Sequence, residues 1–262
     1  MPNVRTNPIR AALKENRLLC GPFQMLGDPA VTEIAIGSGF DFVLVDAEHR
    51  ALAPDQIEAL IRAAQGAGGG AFVRVPTLNR AHLQHALDAG ADAVLVPLVN
   101  TRKEAEEAAA LCRFPPLGSR GFNGGSRAAN WGAPDLKAYI EHANREIVVA
   151  VQIETPAALA NVAEIAATPG LDMLYIGPFD LSHGLGKVGQ LDDPEIRAAI
   201  EKICAAARSN GKALGILAPT PEFAKWSHSL GVRLLTYRSD VRMLKHAATA
   251  SVEELKQHLP PR

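Results

Sequence analysis

Two carboxylates, Glu154 and Asp180, each close a short apolar run, in Val151-Gln152-Ile-Glu154-Thr155 and Ile176-Gly-Pro-Phe179-Asp180-Leu-Ser182. Carboxylate oxygens are hard donors. With no His or Cys beside them at zinc-like spacing, a pair with open positions suits Mg²⁺ or Mn²⁺. Each acid also has a plainer explanation, because Thr155-Pro156 opens a helix whose dipole favours a nearby acid, and Asp180 can cap the helix that follows it. Two such acids at neighbouring run ends favour the cation.

His49 follows Val45-Asp46-Ala-Glu48. Imidazole can move a proton near neutral pH when a carboxylate fixes its tautomer, and spacing favours Asp46, three residues upstream, for that task. A solvated loop is the commoner fate of any one His among the 8 present. Arg74 lies inside the apolar run Phe72-Val-Arg-Val-Pro76, where a buried guanidinium needs an anion: a structural carboxylate, or an enolate oxygen developing during a reaction. No lysine ends an apolar run, which argues against Schiff-base chemistry.

These residues need elements to bring them together. β-branched runs recur at Leu18–Gln24, Phe42–Asp46, Ala71–Val75, Ala93–Pro97, Ile147–Ile153, Met173–Ile176, Ala213–Leu217 and Leu234–Tyr237. Helical patterns fall between and after them at Asp55–Gln65, Ala81–Ala89, Arg102–Cys112, Leu136–Ala143, Pro156–Ala166, Pro194–Ser209, Pro221–Leu230 and Val241–Ala248. Asp88-Ala-Gly90, Ser209-Asn-Gly211 and Leu230-Gly231 supply glycines for left-handed helix caps. Nearly continuous apolar strands suit a parallel sheet covered by helices, and eight strand–helix units predict a (β/α)8 TIM barrel. A doubly wound open sheet is the rival, weakened because no Gly-x-Gly-x-x-Gly turn follows the first strand. In a barrel, the polar residues that end strands share one mouth.

Two stretches break the rhythm. Phe114–Arg127 is glycine-rich and long, as functional or mobile loops are. Ser251-Val-Glu-Glu carries a capping-box pattern, predicting an extra C-terminal helix over about 251–259 that packs on a neighbouring subunit or on its own barrel. The whole of 1–262 reads as one barrel domain.

Composition agrees with a folded chain. The 262 residues are 47% hydrophobic, enough to bury a core, and 27 basic against 28 acidic side chains leave no field to attract nucleic acid or an anionic membrane. No apolar run has the length of a membrane span, and the polar first residues lack the order of a secretory signal. A cytoplasmic location is expected. Cys20, Cys112 and Cys204 are odd in number and far apart, and read as buried thiols.

Six motifs in order resemble the HpcH/HpaI family of metal-dependent, class II pyruvate aldolases: Gly39-Phe-Asp-Phe-Val-Leu-Val-Asp-Ala-Glu-His49, Val73-Arg-Val-Pro76, Leu87-Asp-Ala-Gly-Ala91 with Leu95-Val-Pro97, Pro115-Pro-Leu-Gly-Ser-Arg-Gly121, Val151-Gln-Ile-Glu-Thr155 and Ile176-Gly-Pro-Phe-Asp-Leu-Ser182. The resemblance spans nearly the whole chain. It implies a TIM barrel assembled as a hexamer, a trimer of dimers that exchange the tail helix. It implies Glu154 and Asp180 as ligands of Mg²⁺, Mn²⁺ or Co²⁺, His49 as base and Arg74 as stabiliser of the transition state. Asp88 matches the family acid that raises the histidine's basicity, so Asp46 and Asp88 both stand as its partner. Substrate contacts are implied at Gln152, Phe179, Asp180, Ser182 and Leu217.

The implied reaction is reversible cleavage of a 4-hydroxy-2-oxo acid to pyruvate, or a related 2-oxo acid, and an aldehyde through a metal-stabilised enolate. Acyl-CoA lyase chemistry and decarboxylating carbon–carbon bond formation use the same enolate, though no basic cluster for CoA phosphates stands out. A barrel that binds a 2-oxo acid without turnover is the third reading. The chain departs from the family pattern at Ala47, at Phe179, whose ring either narrows the pocket or points away, and at Thr236-Tyr-Arg-Ser-Asp240, where the last strand usually ends with a glycine.

Overall fold

The computed structural model describes residues 5–259. Its elements run α1 (Pro8–Lys14), β1 (Leu19–Gln24), α2 (Pro29–Gly37), β2 (Phe42–Asp46), α3 (Pro54–Gly66), β3 (Gly70–Arg74), α4 (Arg80–Asp88), β4 (Ala93–Val96), α5 (Arg102–Cys112) and α6 (Leu136–Glu146). They continue with β5 (Val148–Ile153), α7 (Pro156–Ala160), α8 (Val162–Ala166), β6 (Met173–Ile176), α9 (Pro178–Gly184), α10 (Pro194–Ser209), β7 (Ala213–Ala218), α11 (Pro221–Ser229), β8 (Leu234–Ser239) and α12 (Asp240–His258). All eight strands pair in parallel and in sequence order, and β8 closes on β1. The barrel expected from the strand–helix alternation is present.

Alternation along each strand divides the core in two. Phe42, Leu44, Phe72, Ala93, Leu95, Ala150, Met173 and Tyr175 fill the barrel interior, whereas Val43, Val45, Val73, Val94, Val149, Val151, Leu174 and Ile176 pack outward under the helices. Side chains on a strand alternate faces, so Asp46, Arg74 and Gln152 continue the inward-facing series at the C-terminal ends. At the opposite end α1, capped by Asn7, inserts Ile9 and Ala12 into the interior core. Asn7 pins it there by donating to the carbonyls of Asp92 (2.6 Å) and Glu146 (2.7 Å).

The predicted left-handed caps occur at Gly90, Gly211 and Gly231, with φ of 91°, 64° and 100°. Two helices escaped the sequence reading. α2 begins at a clear Asp28-Pro29 start signal, but its apolar residues are spread around its surface and Ile34 is 68% exposed, so no stripe marks it. α1 is too short to show a period.

One stretch is given its place and one expectation is corrected. The glycine-rich stretch after α5 is anchored near the N-terminal ends of the strands, where Arg120 donates to Asp88 (2.9 Å) and Arg127 to the Ala89 carbonyl (2.7 Å), away from the mouth that gathers the polar strand ends. The C-terminal segment does not start afresh at Ser251; Ser251 Oγ donates to the Ala247 carbonyl (2.9 Å) inside the continuous α12. A hydroxyl that bonds back to residue i−4 leaves the helix intact.

Candidate active site at the barrel mouth

A cavity of about 250 Å³ opens at the C-terminal mouth, lined among others by Asp46, His49, Arg74, Gln152, Phe179, Asp180 and Leu217. In barrels this end carries the chemistry. β2 and β3 place Asp46 directly opposite Arg74 in register, and the guanidinium donates to the carboxylate twice, Nε to Oδ1 at 3.0 Å and Nη2 to Oδ2 at 2.9 Å. Both side chains are buried. Nη1 also lies 3.0 Å from Glu48 Oε2, and the Phe23 ring packs against the guanidinium with its centroid 4.8 Å from Cζ. Burial opposes the charge on Arg74, but the acids around it, Asp46 foremost and then Glu48, together outweigh burial and push its pKa up.

Within the chain, the His49 ring meets neither of the two acids that sequence and resemblance offered as its partner. Asp46 Oδ1 accepts the backbone N–H groups of Glu48 (3.1 Å) and His49 (3.3 Å), shaping the turn rather than meeting the ring. Asp88 ends α4, which returns the chain to the N-terminal side of the barrel just before β4, and its carboxylate is held by Arg120. The acid that faces the imidazole is Glu48, whose Oε2 is 4.0 Å from His49 Nε2. Burial pushes the Glu48 carboxyl up, with Arg74 and His49 pulling the other way. Glu48 was visible in the sequence as a strand-end acid, but nothing in the spacing showed that it would touch both the arginine and the histidine.

Glu154 is 3% exposed and makes no ion pair among the described residues. Its Oε1 accepts the N–H of Leu98 (2.9 Å), a residue in the left-handed region at φ 55°, and its Oε2 accepts from the Gln152 amide. Burial pushes its carboxyl up to about 6, those hydrogen bonds oppose the rise, and the nearby acids Glu48 and Asp180 add to it. Asp180 is exposed in the first turn of α9, which begins after Gly177 and is not capped by Asp180. Gly177 is required between the two acids, because a Cβ there would come within 2.8 Å of Glu154 Oε2 and 2.9 Å of Gln152 Nε2.

A buried carboxylate crowded by other acids, with no basic partner, is stabilised by a cation. The residues fit a divalent ion held by few protein oxygens. Among the described residues no three His, Cys, Asp or Glu side chains form a ready-made metal cage, so water and substrate would complete the shell.

Phe179 lines the cavity at its mouth and is 38% exposed. Leu217, on the neighbouring strand β7, lines it as well. Ser182 does not: fully buried, its hydroxyl donates to the Phe179 carbonyl (2.7 Å) and accepts from Gly189 N–H (3.0 Å), which fixes the turn behind α9. Sequence reading missed Tyr175, whose hydroxyl shares a hydrogen bond with Thr236 in the cavity floor, and the rim arginine Arg242. Inward alternation could have found Tyr175. Arg238, also on the rim, lies in the stretch 236–240 already set apart as a departure at the last strand end, whereas Arg242 had no such signal.

Residues 20–246 match the model of the HpcH/HpaI aldolase/citrate lyase family. A hydroxypyruvate/pyruvate aldolase from Delftia acidovorans is 37% identical over 251 residues, 94% of this chain and 91% of that one. A 5-keto-4-deoxy-D-glucarate aldolase from Citrobacter koseri is 35% identical over 255 residues, covering 96% and 97%. Among solved structures, an HpcH/HpaI family protein from Burkholderia cenocepacia superposes with a TM-score of 0.89 at 33% identity, covering 96% of this chain and all of that one. An HpcH/HpaI aldolase from Desulfitobacterium hafniense gives 0.90 at 30% identity, covering 96% and 97%.

Proposed function

The chain belongs to the HpcH/HpaI aldolase/citrate lyase family, and from that premise we propose that it is a divalent-metal-dependent aldolase acting on a 4-hydroxy-2-oxo acid, with pyruvate or a close 2-oxo acid as one product. One observation carries the reading: a clamped arginine, an exposed histidine and a buried carboxylate lacking a basic partner meet at one barrel mouth.

Glu154 and Asp180 are the residues that would hold Mg²⁺, Mn²⁺ or Co²⁺. When bound there, the ion supplies Lewis acidity toward the keto acid. Every other role falls to the chain. Arg74 has five N–H groups, gives two to Asp46 and sets Nη1 against Glu48, which still leaves donors for oxygen charge that develops on the substrate. Because Asp46 fixes the guanidinium plane beforehand, little reorganisation is needed when that charge appears. His49, more than half exposed, is free to take the 4-hydroxyl proton in cleavage and return it in synthesis, with Glu48 facing its Nε2. Gln152 lines the cavity and keeps its Oε1 buried without a partner, an acceptor for a substrate or water hydrogen once the site is filled.

We extend the proposal to assembly and location. Along α12, Val241, Leu244, Val252, Leu255 and the following Leu259 recur at helical spacing and are 41–62% exposed. Such a stripe on a helix with few barrel contacts fits burial against a second copy of the chain, as in a hexamer made of three dimers. Three unpaired thiols suit the cytoplasm, and no helix among the described residues is long and apolar enough to cross a membrane.

The test is exchange of pyruvate methyl protons in D₂O followed by NMR, with and without Mg²⁺ or Mn²⁺. Exchange that needs metal and stops with EDTA supports the reading, whereas exchange absent with metal or indifferent to EDTA overturns it. His49→Ala should slow aldol cleavage by about 100-fold or more, the scale of lost general base catalysis.

A further inference from the structure

The rim of the cavity carries two cations that the catalytic roles above do not use. Arg238 lies near the end of β8 and Arg242 in the first turn of α12, both line the cavity, and neither forms an ion pair among the described residues. The acids around them are otherwise engaged. Asp46 is bound to Arg74, and Asp240, between the two arginines in sequence, is buried with its carboxylate accepting the N–H groups of Met25 (3.0 Å), Leu26 (2.8 Å) and Val241 (2.7 Å). Asp180, on the wall of β6 and α9, is the acid already placed beside Glu154.

The backbone at Arg238 is the second observation. The β1–β8 register passes from Gly21↔Thr236 to Phe23↔Ser239, two steps on β1 against three on β8, so β8 carries an extra residue as a bulge. Arg238 adopts φ 61° there, in the left-handed region that disfavours any residue with a Cβ and suits glycine. Bulges beside active sites re-aim side chains, and this one brings Arg238 into the lining of the cavity, with Cζ 5.2 Å from the Tyr237 ring centroid. Stability alone would place glycine at this position. A strained arginine there calls for a functional explanation.

Position completes the case. Ser239 caps α12, so Arg238 and Arg242 flank a helix N-terminus beside the ends of β7 and β8, a region where barrels commonly receive phosphate groups. Arg74 is on β3, with β2 and β1 between it and β8 around the closed sheet. The keto-acid end of a substrate held at Arg74, Gln152 and Glu154 would therefore direct its aldehyde-derived end toward the β8 rim.

We propose that Arg238 and Arg242 form an oxyanion-binding subsite for the aldehyde half of the substrate, selecting aldehydes whose far end carries a carboxylate or a phosphate. The subsite rests on the aldolase reading. Two guanidinium groups on neighbouring turns of one rim can each donate two hydrogen bonds to such a group, and a neutral aldehyde would leave them without an anion.

The experiment compares the metal-loaded wild type with Arg238→Gly, Arg242→Ala and the double variant in aldol addition of pyruvate to three aldehydes: succinic semialdehyde, glycolaldehyde phosphate and neutral glycolaldehyde. The expected result is a selectivity, as kcat/KM for an anionic over the neutral aldehyde, that falls at least tenfold in the double variant. The anion with the larger fall identifies carboxylate or phosphate as the preferred group. Arg238→Gly should melt no lower than wild type, because it removes the left-handed strain. Selectivity equal to that of wild type for both anions overturns the subsite, even when addition to glycolaldehyde upholds the aldolase. Should no aldehyde be turned over, calorimetric binding of succinate and inorganic phosphate still decides: weakening by tenfold or more in the double variant supports the subsite, and equal binding overturns it.

Discussion

Asp46 and Arg74 face each other across β2 and β3 and meet in a two-point ion pair, Nε to Oδ1 at 3.0 Å and Nη2 to Oδ2 at 2.9 Å, with both side chains buried. The pair makes the arginine a fixed cation in the cavity at the barrel mouth. Arg74→Ala leaves Asp46 buried without its counter-charge, and breaking such a pair costs about 3–5 kcal/mol. Arg74→Lys keeps the charge but not the planar fork, so it should retain most of the stability while kcat falls by about 100-fold or more. Thermal melts and steady-state rates on the two variants check this; equal activity of Arg74→Lys and wild type would remove the arginine from the reaction.

Glu154 sets a pH dependence. Its carboxyl is pushed up to about 6 in the fold from an ordinary 4.5, so between those values the folded state binds the proton more tightly than the unfolded chain. The sign follows: the metal-free protein gains from this group at low pH and loses about 2 kcal/mol of stability as pH rises from 4.5 through 6. Glu154→Gln should flatten that part of the profile in EDTA. Saturating Mn²⁺ should raise the melting temperature more at pH 7 than at pH 5, since it binds the ionised carboxylate. A wild-type profile that matches Glu154→Gln across this range, with no Mn²⁺ effect, would reject the assignment.

Gly177 separates the two acids, and a methyl group there would come within 2.8 Å of Glu154 Cβ and Oε2. Gly177→Ala therefore displaces Glu154 or Gln152 while leaving the rest of the barrel in place. Mn²⁺ affinity measured by calorimetry should drop about tenfold, on the scale of displaced metal-site geometry. Unchanged affinity would show that the ion does not depend on Glu154.

Leu244 and Leu255 stand 62% and 60% exposed on one face of α12. Placing charge in that stripe by Leu244→Arg with Leu255→Arg should give a smaller species by light scattering while the circular dichroism stays that of the folded chain. A pair of substitutions on an uncovered face changes barrel stability by only about 0.5 kcal/mol or less. The same assembly in wild type and variant would leave the stripe unrelated to self-association.

How much could be read in advance differed from element to element. β4 and β5, covered on both faces, announced themselves as unbroken apolar runs, and α5 and α10 by their helical period; that Thr101 and Asp193 cap them was seen only in the fold. α2 gave no stripe because its surface is apolar on several sides. Ser251 looked like a start because a capping box and a mid-helix serine share a sequence pattern and differ only in backbone geometry.

The sequence by itself determined the barrel and the layer in which its chemistry would stand. Strand periodicity obliges Asp46, Arg74 and Gln152 to continue the inward series, and the parallel order sends Glu154 and Asp180 to the same mouth. Only the tertiary structure decided which charges meet. Glu48, not Asp46 or Asp88, faces His49, because Asp46 is opposite Arg74 in register and α4 carries Asp88 to the other end of the barrel. Ser182 turned inward to its own loop, and an extra residue in β8 brought Arg238 into the lining of the cavity. Pairing depends on register, bulges and the direction each helix travels, and these are settled by how strands dock against neighbours distant in the chain.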